Sequence, residues 1–457
     1  MDSAWPIATI EELKASTPNA LAMGPFGSNI KTDNFVPQGV PVIRGNNLKE
    51  GRFEDDKFVY LTEDKADQLR NANALPGDLV FTHRGTLGQV GIIPKTAQHP
   101  RYVVSQSQMK LTCDTSKIDP LFLYYYFRSA VGQHALLSNA STTGVPALSR
   151  PLTSLRQIEV PVPPLSEQRA IAAILGTLDD KIELNRRMNE TLEAIARAIF
   201  KSWFVDFDPV RAKMAGREPV GMDAETAALF PDTFEDSPLG KIPMGWGTHP
   251  LGDVLSLDKG LSYKGQFLTE HGVPMVNLGC FLGRGRFSEK AIKKYSGEYK
   301  SRHVVRPRDL VLANTDITQH REVIGSPALV PPQGDLSELI FSHHVFAARF
   351  HEGTDFWKMF VYFLLLQDDF RARAAGFATG TTVLALPRDA VLNVRFPGAP
   401  RALVTAFAEV ALPILERGWK SAEESRTLAT VRDTLLPKLL SGEVRVKDAQ
   451  LLSSGAG

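Results

Sequence analysis

Hydrophobic and polar positions follow two different spacings in the first half of the chain. Over residues 1–160, short apolar runs such as VPVIR and DLVFT are separated by Gly, Pro, Asn and Asp, a pattern typical of short strands and turns. Beyond residue 160, apolar residues recur at intervals of three and four or their sums, which predicts one long amphipathic helix with a coiled-coil-like seam. They are Ile171, Leu175, Leu178, Ile182, Leu192, Ile195, Ile199 and Trp203.

The second half of the chain repeats this order. Its helical stretch carries the same spacing at Val404, Phe407, Ala411, Ile414, Ala422, Ser425, Leu428, Val431, Leu435 and Leu439. Five segment pairs also recur in register, at an offset near half the chain length. The pairs are GVPVIRGNNLKEGRF with GVPMVNLGCFLGRGRF, GDLVF with RDLVL, GIIP with ALVP, YYFRSAVGQHALLSNASTTGVPALSRP with VYFLLLQDDFRARAAGFATGTTVLALPR, and IEVPVPP with VRFPGAP. An offset this long indicates a duplicated domain and not a solenoid.

The duplication predicts an α+β protein. We expect two mixed α/β globular domains separated by two long antiparallel helices, related by an internal pseudo-two-fold axis, because antiparallel pairing buries both apolar seams. A helix of about 38 residues would form a rod of about 57 Å. The predicted boundaries are residues 1–160 for the first domain, 161–210 for the first helical spacer, 211–245 for a linker, 246–398 for the second domain, 399–445 for the second helical spacer and 446–457 for a flexible tail.

The ends of the two helices carry their own signals. Ser166, after two prolines and before an acidic residue, is a candidate N-cap for the first helix. Pro413 falls inside the second helical stretch, where proline costs about 3 kcal/mol, so we expect a bend or a break there. Pro437 and Gly442 are expected to close that helix.

Composition excludes several classes of protein. Apolar residues make up 43% of the 457 residues, and 52 Lys plus Arg face 51 Asp plus Glu. Global disorder and a uniformly basic polyanion binder are therefore excluded, although a locally basic groove is not. Cys113 and Cys280 lie far apart, which fits a reducing compartment. The chain starts MDSAWPIATIEELKAS, without the pattern of a secretory signal, and no apolar run reaches about 20 residues, so we expect a cytoplasmic protein without a membrane anchor.

Signatures of catalytic and metal sites are missing. The sequence contains no GxxxxGK[ST] phosphate loop, no HExxH, no GxSxG, no GxGxxG and no Asn/Asp-Pro-Pro-aromatic motif. His343 and His344 are adjacent, but on a strand they would point to opposite faces, which favours packed or solvated histidines. We therefore predict no catalytic residue, cofactor site or metal site on this chain.

One region resembles a known family. The segment VPVPPLSEQRAIAAILGTLDDKIELNRRMNETLEAIARAIFKSWFVDFDPV resembles the central conserved region of the specificity (S) subunit of type I restriction-modification enzymes. GDLVFTHRGTLGQVG and LLPKLLSGEV are similar to further parts of that family, and the resemblance extends over nearly the whole chain, duplication included. The second half departs from it: its helix starts as PGAPRALVTAFAE, without Ser-Glu-Gln, and RDLVLANTDITQ lacks the Gly-Thr turn.

The resemblance implies a non-catalytic subunit that binds double-stranded DNA. Each globular domain would read one half of a split, asymmetric site, and the helices would set the spacing and dock two methyltransferase (M) subunits. Restriction/translocase (R) subunits would join that core. S-adenosylmethionine, ATP and Mg²⁺ would then be held by the partner subunits.

Polar loops supply the candidates for DNA contact, because phosphates are held by Lys, Arg, Ser and Thr and bases are read by Arg, Asn, Gln and His. In the first domain the candidates are Ser28, Lys31, Arg44, Asn46, Asn47, His83, Arg84, Thr86, Thr142 and Thr143. In the second domain they are Lys259, Tyr263, Lys264, Arg284, Arg286, Asn314, Gln319, His320, Arg321, Thr381 and Thr382. The alternative for any single residue is an ordinary solvated turn position.

An aromatic cluster near the end of the first helix exceeds what one seam needs. Phe200, Trp203 and Phe204 either pack on the linker or dock a methyltransferase subunit. Two rival functions remain open at this stage. A protein-only coiled-coil scaffold would show no salt-sensitive DNA binding, and a stand-alone nuclease or methyltransferase would show activity as an isolated chain.

Overall fold

A computed structural model describes residues 5–48, 53–141, 144–316, 322–332, 338–380, 383–444 and 446, and it describes Ser28 by its backbone alone. The chain divides into two compact units. The first unit comprises the described residues up to Leu184 and from Glu424 onward, and the second unit comprises residues 185–423. Among the described residues, none of the helices has the length and apolar character needed to cross a membrane.

The first unit contains twelve short strands and the beginning of a long helix. Its strands are β1 (Ile7–Thr9), β2 (Leu21–Met23), β3 (Val40–Ile43), β4 (Val59–Leu61), β5 (Asn73–Ala74), β6 (Leu79–Thr82), β7 (Val90–Ile92), β8 (Tyr102–Val104), β9 (Gln108–Leu111), β10 (Ala140–Ser141), β11 (Ala147–Leu148) and β12 (Glu159–Pro161). Its helices are α1 (Ile10–Leu13), α2 (Glu63–Gln68), α3 (Pro120–Arg128), α4 (Ala130–Leu137), α5 (Pro151–Arg156) and the first part of α6 (Leu165–Phe204).

Two four-stranded sheets form the globular part of the first unit. One has the order β2-β9-β6-β7 and is antiparallel throughout; the other has the order β4-β3-β8-β5, in which β3 and β8 run parallel. The first sheet packs on α3, where the rings of Phe81 and Phe127 meet edge to face at 5.0 Å. The second sheet buries its own cluster around Val42, Tyr102 and Val103. Each sheet therefore has a separate apolar core.

The second unit contains the remaining elements. Its strands are β13 (Phe234–Ser237), β14 (Gly240–Pro243), β15 (Thr248–Pro250), β16 (Leu255–Lys259), β17 (Leu268–Val276), β18 (Lys293–Tyr295), β19 (Val304–Val305), β20 (Leu310–Ala313), β21 (Thr315–Asp316), β22 (Pro327–Leu329), β23 (Leu339–Phe341), β24 (Val345–Phe350), β25 (Leu384–Ala385) and β26 (Arg395–Pro397). The later helices of the chain are α7 (Asp208–Met214), α8 (Ala224–Ala228), α9 (Lys358–Leu365), α10 (Asp368–Phe377), α11 (Arg388–Leu392) and α12 (Arg401–Ser441).

The second unit repeats the sheets of the first. The order β16-β24-β20-β22 corresponds to β2-β9-β6-β7, and β18-β17-β23-β19 corresponds to β4-β3-β8-β5. The single parallel pair also recurs, with Met275 opposite Ile340 in the second unit and Val42 opposite Val103 in the first. The predicted α+β class and internal duplication are therefore confirmed at the level of strand order.

The helices α6 and α12 pack antiparallel in each unit. In the first unit Asp179 Oδ1 lies 2.5 Å from Arg432 Nη1, and Lys181 Nζ lies 3.4 Å from Glu424 Oε1. The later residue of α6 thus contacts the earlier residue of α12, as expected for antiparallel helices. In the second unit the ring centroids of Phe200 and Phe407 are 5.5 Å apart. The seam residues predicted from spacing, such as Leu178 and Leu439, are buried in the first unit.

Neither proline breaks α12, which runs through Pro413 and Pro437 for 41 residues. The predictions of a break at Pro413 and of an end at Pro437 are therefore wrong. Each proline removes one backbone N–H from the ladder, and the burial of Phe407, Ala411 and Leu439 on the packed face offsets that loss. The helix ends before Gly442, whose φ of +75° is a conformation that glycine adopts without strain.

The start of α6 also differs from the prediction. Leu165 is the first helical residue, and the carbonyl of Pro164 accepts the N–H groups of Glu167 at 2.9 Å and Gln168 at 3.0 Å. Ser166 therefore lies inside the first turn and is not the N-cap, because the hydrogen-bond ladder begins one residue before the helix.

Gln168 links the start of α6 to the loop before α3. Its side chain is fully buried, and its Oε1 accepts the N–H of Asp119 at 2.7 Å. Its Nε2 donates to the carbonyls of Lys117 at 3.1 Å and Pro163 at 2.8 Å. Three backbone groups that would otherwise be unpaired in the interior are thus satisfied by one amide.

We expect Gln168→Ala to lower the free energy of unfolding by about 3 kcal/mol, because buried groups that lose their partner cost about 1–3 kcal/mol each. Chemical denaturation of the full chain measures the difference. Arg169→Ala, an exposed neighbour on the same helix, is the matched control and should change stability by less than about 0.5 kcal/mol. Equal effects of the two substitutions would contradict the role of Gln168.

The predicted docking role of Phe200, Trp203 and Phe204 is wrong in its partner version, because all three side chains are buried within the second unit. Trp203 meets Phe230 edge to face at 5.6 Å, and Phe204 lies 6.0 Å from Trp246. The alternative, packing on the linker, fits the contact between Trp203 and Phe230, and this region of the chain forms α7, α8 and the β13–β14 hairpin.

Candidate nucleic-acid interface

Three segments of the first unit converge where its sheets meet. Because β3 and β8 are parallel neighbours, the segments that follow them leave from the same edge. The end of β6 lies opposite the start of β9, where Thr82 pairs with Gln108. The loop after β3, the loop after β6 and the turn between β8 and β9 therefore meet at one place.

A cleft of about 410 Å³ opens between these segments. It is lined by Arg44, Gly45, Asn46, Thr82, Arg84, Thr86, Gln89, Ser107 and Gln108. None of these described lining residues is acidic, so the two guanidinium groups meet no counter-charge in the cleft wall. The structure thus brings together four of the predicted DNA contacts: Arg44, Asn46, Arg84 and Thr86.

A network of amides and hydroxyls forms the base of this cleft. Thr82 Oγ1 donates to Gln89 Oε1 at 2.9 Å, and Gln89 Nε2 donates to the carbonyl of Gly45 at 3.1 Å. Gln108 Nε2 donates to Thr82 Oγ1 at 3.2 Å, and the Ser105 hydroxyl donates to Gln108 Oε1. Sequence analysis missed both glutamines, because an isolated Gln on a strand gives no signal of its own.

Arg44 and Arg84 differ in how they are held. Arg44 is half-buried, and its Nε is buried without a hydrogen-bond partner among the described residues. Arg84 is exposed, and its backbone forms a bridge to Ala147. The Arg44 side chain is therefore partly enclosed by the protein, whereas that of Arg84 is open to solvent.

Asn47 and His83 do not face the cleft, and their predicted role as DNA readers does not fit their burial. Asn47 Nδ2 donates to the carbonyls of Glu54 at 3.2 Å and Asp56 at 3.0 Å. His83 Nε2 donates to the carbonyl of Gln106 at 3.1 Å. Both side chains hold loops in place, because their donors are used by backbone groups inside the unit.

Of the other first-unit candidates, Lys31 lies apart from the cleft, and the rest lie, in whole or in their side chains, outside what the structure describes. Lys31 is exposed and does not line the cleft; its N–H donates to Asn34 Oδ1 at 2.9 Å. The side chain of Ser28, and Thr142 and Thr143 as a whole, lie outside the described residues.

In the second unit, the turn between β23 and β24 is equivalent to the turn between β8 and β9, and it carries two imidazoles. His343 and His344 occupy the turn between β23 and β24, with ring centroids 3.9 Å apart. The expectation that they point to opposite faces of a strand is therefore wrong. The ring of Tyr263 lies 6.0 Å from that of His343, and Thr315 Oγ1 lies 2.8 Å from His344 Nδ1. Tyr263 was a predicted contact, whereas the histidine pair was not.

Cations surround this turn. Lys293 Nζ lies 6.0 Å from the centre of the Tyr263 ring. Burial lowers the pKa of His344, and the positive charges of His343, Lys259 and Lys293 lower it further. The His344 imidazole is therefore neutral at neutral pH and presents one donor and one acceptor.

Asn314 holds this turn as His83 holds the one in the first unit. Asn314 is buried, and its Nδ2 donates to the carbonyl of His343 at 3.1 Å. The two positions are equivalent, since the carbonyl of His83 accepts the N–H of Leu148 and the carbonyl of Asn314 accepts the N–H of Leu386. Asn314 is therefore a positioning residue, and its predicted role as a reader does not fit its burial.

We expect His83→Asn to flatten the pH dependence of stability in the first unit. Burial lowers the pKa of His83 below its ordinary value of 6.5, so the unfolded chain binds the proton first as the pH falls. The free energy of unfolding of the first unit therefore falls as the pH drops below about 6.5. Above that pH, His83 no longer makes it depend on pH. Asparagine cannot titrate, and Asn314 shows that it can supply the same hydrogen bond. Hydrogen exchange between pH 5 and 7.5 measures the effect.

The control for this prediction is His134→Asn, because His134 is exposed in the same unit. It should leave the pH slope of the first unit unchanged. An unaltered slope in His83→Asn would show that His83 does not carry the acid sensitivity.

The remaining second-unit candidates do not form one group. Lys259 and Lys264 are exposed, and Lys259 lies close enough to the histidine turn for its charge to lower the pKa of His344. Arg284 and Arg286 are also exposed, but they lie beside α6, where Arg197 donates to the carbonyl of Arg284. The structure does not bring them to the histidine turn. Gln319, His320, Arg321, Thr381 and Thr382 lie outside the described residues.

Both cysteines of the chain are buried. Burial raises the pKa of Cys113 to about 12 and that of Cys280 to about 11, so both thiols are protonated at neutral pH. Within the described ranges, no group of three or more His, Cys, Asp or Glu side chains is placed to hold a metal ion.

Comparisons with known proteins agree with this architecture. The family model described as "Type I restriction modification DNA specificity domain" matches residues 27–194. The type I restriction enzyme MjaIX specificity subunit of Methanocaldococcus jannaschii is 24% identical over 384 residues, covering 81% of this chain and 78% of that protein. The HindI specificity subunit of Haemophilus influenzae is 24% identical over 388 residues, covering 75% and 81%.

The fold has a counterpart among solved structures. The type I restriction-modification S subunit from M. genitalium matches with a TM-score of 0.57 at 16% identity, covering 95% of this chain and 96% of that one. The duplicated sheets and the two long helices occur together with similarity to specificity subunits along most of the chain. Residues 27–194 of this chain match the type I restriction modification DNA specificity domain, and the chain is similar to type I restriction enzyme specificity subunits over most of its length.

Proposed function

We propose that this chain is the non-catalytic specificity subunit of a type I restriction-modification complex, and that each unit reads one half of an asymmetric, bipartite site in double-stranded DNA. One observation carries the proposal. Two units with the same strand order present different polar side chains at the same topological place.

The difference between the two places is chemical. Arg84 of the first unit corresponds to Thr315 of the second, because each forms the same bridge, to Ala147 and Ala385. Guanidinium and amide groups line the first place, whereas imidazole, phenol and hydroxyl groups lie at the second. Since bases are told apart by their patterns of donors and acceptors, unlike side chains predict unlike half-sites.

The net charge of +1 limits how the chain can hold DNA. Non-specific affinity grows with the number of phosphates neutralised by Lys and Arg. Overall charge supplies little attraction here, so binding rests on local cationic places such as the acid-free cleft. We infer that partner subunits add further phosphate contacts.

The helices α6 and α12 are proposed to set the spacing and to dock two M subunits, with R subunits joining that core. Their lengths of 40 and 41 residues and their exposed apolar side chains support this role. Those side chains include Leu184, Ile195 and Val410. We propose that S-adenosylmethionine, ATP and Mg²⁺ are bound by the partner subunits.

The test is modification of DNA in a host without other methyltransferases. The chain is co-expressed with its cognate M subunit, and modified bases are mapped by long-read sequencing. We expect a split motif of two unlike halves around a fixed gap. If omitting this chain leaves the pattern unchanged, or no motif appears with an active partner, the proposal is overturned in favour of a protein scaffold.

A variant of the second unit sharpens this test. His343→Ala combined with His344→Ala should relax one half of the motif and leave the other half unchanged. His271→Ala replaces an exposed histidine of the same unit and should leave both halves intact. Relaxation of both halves by the double variant would contradict the assignment of one half to each unit.

A further inference from the structure

Resting on the proposed function, we propose that Arg44 is a specificity-determining residue that reads a guanine in the half-site bound by the first unit. The juxtaposition that points to this role is an unpartnered, half-buried guanidinium in a cleft without acidic residues. Asn46 and Arg84 also line that cleft, whose base is already hydrogen-bonded.

The first step concerns the state of the guanidinium. The Nε of Arg44 is buried and has no hydrogen-bond partner in the described part of the chain. A buried charged donor without a partner costs free energy. Arg84 adds a second positive charge at the same cleft. A partner that offers acceptors or negative charge therefore fits this cleft.

The second step concerns rigidity. The N–H of Arg44 donates to Asn47 Oδ1 at 3.0 Å, and the next carbonyl, that of Gly45, accepts from Gln89 Nε2 at 3.1 Å. The backbone on both sides of the Arg44 side chain is thus fixed. A side chain that starts from a fixed backbone and is half-buried is suited to a contact of defined geometry, because the position of its Cα and Cβ atoms need not be fixed on binding.

The third step excludes the neighbouring amides as readers. Gln89 uses its oxygen with Thr82 and its nitrogen with Gly45. Gln108 donates to Thr82 and accepts from Ser105. Their polar atoms are engaged within the protein, which leaves Arg44 and Arg84 as the cationic donors at the cleft, and Arg44 is the one that is half-buried.

The fourth step identifies the occupant. Guanine N7 and O6 are two acceptors on one base edge, and a bidentate arginine matches them. A phosphate offers the same acceptor chemistry, but it would be equally well held by lysine, which lacks the planar fork. Replacement of Arg44 by lysine therefore distinguishes the two sources of acceptors.

The second unit is not expected to read guanine in this manner. Asn277 follows β17 as Arg44 follows β3, the equivalent strand. Its Oδ1 accepts the N–H of Gly279 at 2.9 Å and its Nδ2 donates to the carbonyl of Ala291 at 2.6 Å. This amide is engaged within its own loop, so the position equivalent to Arg44 does not supply such a contact in the second unit.

The experiment compares the wild-type chain, Arg44→Lys, Arg44→Ala and the exposed control Arg70→Ala, each co-expressed with the cognate M subunit in a methylation-free host. Long-read sequencing gives the motif of each. We expect a guanine in one half of the wild-type motif. Both Arg44 variants should relax that position alone, with discrimination falling roughly 5- to 150-fold. Arg70→Ala should keep the full motif.

Three results would overturn the inference. They are an unchanged motif with uniformly weaker methylation, retention of the guanine preference by Arg44→Lys, and a wild-type motif without guanine in the half left intact by the double histidine variant. If the wild-type chain itself gives no methylation motif with an active M subunit, the result overturns instead the proposed function on which the inference rests. Thermal unfolding equal to wild type in either Arg44 variant shows that the change in reading is not a loss of fold.

Discussion

Replacing Asp179 with alanine is expected to lower the free energy of unfolding of the first unit by about 3 kcal/mol. One carboxylate oxygen accepts from the Tyr125 hydroxyl at 2.9 Å and from Arg128 Nη1 at 2.9 Å, and the other accepts from Arg432 Nη1 at 2.5 Å. The carboxylate is largely buried, so its removal leaves two poorly hydrated arginines near each other.

This carboxylate joins three helices, because Tyr125 and Arg128 lie on α3, Asp179 on α6 and Arg432 on α12. Burial, followed by the negative charge of Asp179, raises the pKa of Tyr125, so its hydroxyl stays protonated and donates. Loss of Asp179 should therefore loosen the final turns of α12 before the sheets unfold. Hydrogen exchange of residues 424–441 in the full chain measures that loosening.

The control for Asp179→Ala is Lys181→Ala, which breaks the more exposed ion pair with Glu424 on the same two helices. Such pairs contribute about 0–1 kcal/mol. Equal exchange rates in the two variants would show that the buried carboxylate adds nothing beyond an ordinary surface pair.

Phe407→Ala is expected to lower the free energy of unfolding of the second unit by about 3–5 kcal/mol. Phe407 is fully buried on α12, and its ring lies 5.5 Å from Phe200, 5.4 Å from Phe204 and 5.4 Å from Phe363. The truncation leaves a cavity among rings from two helices, α6 and α9, which cannot both move in to fill it. Denaturant unfolding of the full chain, followed by hydrogen exchange in α9, measures the effect.

Phe377→Ala is the matched control, because Phe377 belongs to the same unit but is exposed at the end of α10. It should change stability by less than about 0.5 kcal/mol. A loss below about 1 kcal/mol in Phe407→Ala would mean that the aromatic cluster is not the core that its burial indicates.

Sequence periodicity predicted the repeat and the long helices because both depend on residues spaced regularly along the chain. The spacing of Leu178 and Leu439 already carried that information. The spacing could not predict that α12 continues through Pro413. The free energy lost with one backbone hydrogen bond is offset by packing against residues elsewhere in the chain. Ser166 failed as an N-cap for a similar reason: the carbonyl of Pro164 already begins the ladder.

The candidate site was predictable only as a set of loops. Polar residues after short strands indicated the segments that meet, and Arg44 and Arg84 do line one cleft. Burial separated the readers from the supports, as with His83, whose imidazole holds a turn. The pairing of His343 with His344 could not be derived from sequence, because it requires the strand to end at Phe341 and a turn to follow.

The two helix starts differ in a way that bears on recombination between related genes. The fourth residue of α6 is the buried Gln168, which accepts the N–H of Asp119, whereas the fourth residue of α12 is the buried Val404. A chimaera whose crossover lies between Asp119 and Gln168, and which carries valine in place of Gln168, would leave the N–H of Asp119 without its hydrogen-bond acceptor. Viable exchange of one half for another should therefore favour crossovers that inherit both residues from the same parent.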